Sequence, residues 1–108
     1  MNTTGFIRGY MAKNQDGEKF LKHVLVTVER QLQEWDPNYE VQLIKLSNYE
    51  VLVKNDKETI NFTISESQLA LFQSRSPYTL DRFIWKELED KGVTIGKCDG
   101  NYLTYVFH

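Results

Sequence analysis

The chain contains a single cysteine, Cys98, so no internal disulfide can form, which favours a reducing compartment. It has no run of Lys or Arg, and its formal charge is −2. No whole-protein field therefore draws it onto nucleic acid or acidic lipid. No apolar stretch approaches the roughly 20 residues that span a bilayer. The first residues, Met1-Asn2-Thr3-Thr4-Gly5, lack the basic-then-apolar order of a signal peptide. Together these absences lead us to expect a cytoplasmic protein with no membrane contact. The Asn-x-Thr triplets at 2–4 and 61–63 carry no weight without secretion.

Chemistry-bearing patterns are equally scarce. The only histidines are His23 and His108, and with Cys98 they make no metal-ligand spacing. No glycine-rich loop joins a strand to a helix to cradle a phosphate. No cofactor or metal is expected. His23 falls on the polar side of the first predicted helix, near Arg30 and Glu34, and His108 is the final residue. Cys98 stands next to Lys97, but neighbours on a strand point to opposite faces, so this lysine is no activating cation. The expectation is a protein that is not an enzyme.

What is present is an ordinary globular composition. Hydrophobic residues make up 41% and charged residues 26% of 108 positions, enough to bury a core without a disulfide or metal. One α+β domain over 1–108 is expected, with 1–15 as an irregular arm or short strand. Asp16 caps a helix over 17–35, where Phe20, Leu21, Val24, Leu25, Val28, Leu32 and Trp35 fall within an arc of about 140°. Pro37 ends it. Three runs of alternating polarity, at 39–46, 49–54 and 58–64, predict an antiparallel meander with one face on that helix. Ser65 and Gln68 match a capping box opening a short helix. Ser76 and Pro77 open a longer one over 77–91 with the stripe Leu80, Phe83, Ile84 and Leu88, and Gly92 follows its end. The segment 93–107 alternates around Asp99-Gly100 and predicts a C-terminal β-hairpin.

Three surfaces follow from this reading. Tyr78 and Trp85 are seven residues apart on one side of the 77–91 helix, with Arg82 between them. These types are enriched at binding hot spots, so the side is a candidate partner surface. The competing account has Trp85 filling the margin of the core. Second, short helix, longer helix and hairpin follow the order of a winged-helix unit, whose nucleic-acid contacts would be Arg82, Lys86 and Lys97. Asp81, Glu87, Glu89 and Asp90 on the same helix oppose phosphate binding, which places nucleic acid second. Third, unpaired sheet edges could recruit another chain, including a second copy in a homodimer, with Tyr102 and Tyr105 joining the contact. The expected function is a small non-catalytic protein-interaction or regulatory module with an unidentified protein partner. The alternative is a winged-helix-like nucleic-acid binder using the 77–91 helix and the 93–107 hairpin.

Overall fold

The computed structural model describes residues 8, 16–96 and 100–107. Helix α1 spans Gly17–Trp35, and the Asp16 carboxylate caps it by accepting the Lys19 N–H at 2.9 Å. Such a cap is worth about 1 kcal/mol. The predicted stripe is the buried one: Phe20, Leu21, Val24, Leu25, Val28 and Leu32 are in the core, and Trp35 packs on its margin. At the far end, Asp36 accepts the Asn38 N–H at 3.0 Å and the Asn55 amide at 3.1 Å. One side chain thus ends the helix, starts the turn and pins the sheet to it.

The meander forms as β1, Glu40–Lys45, β2, Tyr49–Lys54, and β3, Thr59–Ile64, in the order β1-β2-β3. Both pairings are antiparallel, with Val41 opposite Val53 and Val51 opposite Phe62. Tyr49, Val51 and Val53 with Ile60, Phe62 and Ile64 face the core, while their sequence neighbours face outward. A one-residue slip would turn every one of these side chains to water, so the register is fixed by burial.

The Ser65 capping box is present in full: Ser65 Oγ accepts the Gln68 N–H at 3.1 Å and Gln68 Oε1 accepts the Ser65 N–H at 3.0 Å. It opens α2, Glu66–Ser74. The longer helix, α3, is Thr79–Asp90 and starts two residues later than the sequence implies. Pro77 and Tyr78 lie in a turn, because Ser76 engages Thr79 through both its backbone N–H and its hydroxyl. At the other end Gly92 takes φ +107°. Its N–H reaches the Glu89 carbonyl and the Val93 N–H reaches the Leu88 carbonyl, while Val93 is buried. These two hydrogen bonds with their apolar clasp are the glycine-dependent helix stop.

The tail departs from expectation. The predicted hairpin does not form: Val93–Gly96 has no regular structure, and 102–107 is a helix, α4, Tyr102–Phe107. Its buried residues are Tyr102, Leu103 and Val106. That i, i+1, i+4 spacing is one face of a helix; strand alternation would have split Tyr102 from Leu103. Lys97, Cys98, Asp99 and His108 lie outside the described residues, as does the predicted N-terminal arm apart from Arg8. The result is an α+β fold in which α1 packs on the three-stranded sheet and α3 packs against α1 and α2, with Phe83 reaching Phe62 of β3. Among the described residues no helix is long and apolar enough to cross a membrane.

Candidate functional site

The side of α3 expected to meet a partner is mostly interior. Trp85 is fully buried and Tyr78 is buried. Trp85 meets Trp35 edge-on with ring centroids 5.7 Å apart. The buried residues Leu80, Asp81, Ile84, Trp85 and Leu88 centre near Leu88, rotated by about 60° from the predicted stripe at 100° per residue. Phe83, expected in the core stripe, is half-buried against Phe72 and Phe62. Arg82 is exposed, and its Nε donates to the Val106 carbonyl at 2.8 Å, tying α3 to α4. Lys86 is exposed. Among the described residues no wing stands beside Arg82 and Lys86, and Lys97 lies outside them. Tyr102, expected at an open sheet edge, is fully buried.

What α3 and α4 do build is a buried polar chain. Asp81 receives Arg8 Nη1 on one carboxylate oxygen and the Tyr102 hydroxyl at 2.5 Å on the other. The Tyr102 oxygen in turn accepts the Trp85 indole N–H at 3.1 Å. The Arg8 guanidinium stands 5.1 Å from the Tyr78 ring centroid, in cation–π range. All four members of the chain are essentially inaccessible to solvent. Burial pushes the Asp81 carboxyl above its usual range, with Arg8 and the Tyr102 hydrogen bond pulling the other way. Burial, and then the adjacent Asp81 charge, push the Tyr102 phenol well above its ordinary value. His23 is half-buried, and burial together with Arg8 and Arg30 pulls its imidazole down. With no solvent access, this arrangement holds parts of the chain together rather than meeting a ligand. Sequence reading missed it, although one signal was present: Asp81 precedes Trp85 by four and Leu88 by seven, which puts a carboxylate on the helix face of two core residues.

The phenol yields a prediction with a clear sign. The Tyr102 proton is held more tightly folded than unfolded, so its contribution to stability is complete below the ordinary phenol range near pH 10. It is lost as pH rises from there through the raised folded value, at about 1.4 kcal/mol per pH unit for one proton. Tyr102→Phe should therefore remove one proton's worth of slope from stability measured by urea unfolding above pH 10. At neutral pH the same change strands Asp81 Oδ2 and the Trp85 indole, and is expected to cost about 2–3 kcal/mol. An unchanged alkaline slope would contradict the buried phenol.

Exposed apolar side chains occur at Leu71 of α2, at Tyr105 and Phe107 of α4, and around β1, where an open strand edge accompanies them. Val41 is paired with Val53 and Leu43 with Val51, but the hairpin is closed by Leu46 N–H to the Asn48 carbonyl at 2.9 Å. Hydrogen-bonded pairs alternate with non-bonded ones in an antiparallel ladder. Counting back from that closure, Glu40, Gln42 and Ile44 bond to β2, and Val41, Leu43 and Lys45 direct their backbone groups outward. The outward Val41 N–H confirms the count, because Glu29 Oε2 of α1 accepts it at 2.8 Å. Among the described residues no strand pairs with this outer edge. A groove of about 240 Å³ runs beside it, lined by Lys22, Leu25, Val26, Glu29, Val41 and Leu43. Val26 is 45% exposed, and on the strand itself Ile44 is 39% and the following Leu46 is 65% exposed. Among the described residues no group of three His, Cys, Asp or Glu side chains is placed to hold a metal ion. No family model, curated protein or solved structure matches the chain.

Proposed function

We propose that this chain is a protein-interaction module with no reaction of its own, and that it receives an extended stretch of polypeptide along the outer edge of β1. The observation that carries the reading is the pair of outward backbone positions, Leu43 and Lys45, beside an apolar groove whose far end Glu29 closes. Main-chain hydrogen bonds supply affinity in strand addition, and adjoining pockets read alternate side chains. The Val26, Leu25, Val41 and Leu43 wall suits an apolar side chain at every second position. The Tyr78, Arg82 and Trp85 side is not the surface in this reading, since two of its three residues are core.

The test is an amide-proton NMR titration with a synthetic octapeptide of alternating Thr and Val flanked by lysines. Shifts should centre on the Leu43 and Lys45 amides and on Val26. The same peptide with prolines at its central positions, which lack N–H donors, should leave them in place. Shifts confined to α3, or none in a chain that is monomeric under the same conditions, would contradict the reading.

A further inference from the structure

We infer that the occupant of this edge is a second copy of the chain, paired antiparallel about a twofold axis at Ile44; this rests on β1 being the docking edge. The register follows from what is already taken. The Val41 N–H is held by Glu29, which leaves Leu43 and Lys45 as the open positions of β1. A hydrogen-bonded antiparallel pair exchanges both of its N–H···O bonds. Within β1, two copies satisfy both open positions at once only if Leu43 pairs with the partner's Lys45 and Lys45 with the partner's Leu43. An axis at Leu43 would instead require the occupied Val41 N–H.

That register explains the exposed apolar side chains. It sets Ile44 against the partner's Ile44 in a non-bonded pair, where side chains approach most closely. Leu46 then lies beside the partner's Gln42. Both Ile44 and Leu46 are apolar groups that the isolated chain leaves to water, 39% and 65% exposed.

Charge separates a second copy from an arbitrary strand. α1 runs opposite to β1: Glu18 reaches Lys45 at 3.5 Å at one end, and Glu29 meets Val41 at the other. Glu18 pairs with both Lys22 and Lys45, which leaves that end of the groove one net positive charge, while the other end carries Glu29. A twofold axis exchanges the ends, bringing Lys22 and Lys45 of each copy toward Glu29 of the other. Such complementarity fixes register and orientation more than it adds affinity. A foreign strand would match the backbone but has no reason to carry this charge order.

Sedimentation equilibrium of the full chain over a wide concentration range tests the inference, alongside Ile44→Lys and Leu46→Lys. The wild type should dimerise. Ile44→Lys, which sets two ammonium groups together on the axis, should weaken the dimer roughly 100-fold with an unchanged circular dichroism spectrum. Leu46→Lys lies beyond the strand and serves if the first variant does not fold; it should weaken the dimer about tenfold. A dimer that neither variant weakens uses another surface and overturns the inference. A wild type that stays monomeric while the Thr-Val octapeptide still shifts Leu43 and Lys45 also overturns it, but leaves the docking edge standing. A monomer whose β1 amides ignore the peptide removes both.

Discussion

Asp81→Asn is expected to lower the unfolding free energy by about 3–5 kcal/mol, because it leaves the Arg8 guanidinium buried without its counter-charge. Arg8 and Asp81 are each about fully buried and stand 73 positions apart in the chain. The loss would take a large part of the 5–15 kcal/mol typical of a domain. Burial raises the Asp81 carboxyl despite Arg8 and Tyr102, so the ion pair as a whole is no great source of stability. Its removal in one piece should therefore be mild. The double variant Arg8→Met/Asp81→Asn is expected to recover at least half of the loss, leaving Tyr102 to bond the new amide. Urea unfolding of the wild type, both single variants and the double variant gives the coupling directly. A cost below about 1 kcal/mol for Asp81→Asn would mean that the pair does not form in solution.

Trp85→Ala is expected to cost about 3–5 kcal/mol, the range for emptying a large buried aromatic site. The indole fills space against Trp35, 5.7 Å away between centroids, and Tyr102, 6.4 Å away. It also supplies the N–H that the Tyr102 oxygen accepts. Trp85→Phe keeps most of the volume and should cost less, about 1–3 kcal/mol, since it loses the indole hydrogen bond and part of the packing. Thermal and urea unfolding followed by the remaining Trp35 fluorescence measure both. If Trp85→Ala left stability within about 0.5 kcal/mol of wild type, the residue would be on the surface, and the Tyr78, Arg82 and Trp85 side would return as the partner surface.

How far the sequence could be read depends on how local the physics was. The α1 stripe, the Asp16 cap, the Ser65 box, Gly92 and the alternation of β3 are decided within a few residues, and each stands where the pattern puts it. The run 102–107 was ambiguous, because six apolar-rich residues satisfy strand alternation and a short helical face alike. Contact with α3 settled it: Tyr102 must reach both Asp81 and Trp85, and Leu103 and Val106 must turn inward with it. The rotation of the α3 stripe had the same origin. Local pattern weighed Phe83 as core and Asp81 as solvent. The choice was made by Arg8, far away in the chain, which supplies the charge that lets a carboxylate be buried. The edge at β1 was foreseen only as a class of site. That Glu29 would close one end of it depended on how α1 crosses the sheet, which no spacing in the sequence encodes.

Pairing across the β1 edge brings Ile44 against its own copy, and cysteine cross-linking reads that contact most directly. Non-bonded antiparallel partners have Cα atoms about 4.5 Å apart, within the span a disulfide bridges. Ile44→Cys in a Cys98→Ser background should therefore form a covalent dimer rapidly under mild oxidation. Thr63→Cys in the same background, equally on the outer face but on β3, should do so only at the slow rate of random collision. Equal rates for the two, or no cross-link at Ile44→Cys, would contradict pairing about Ile44.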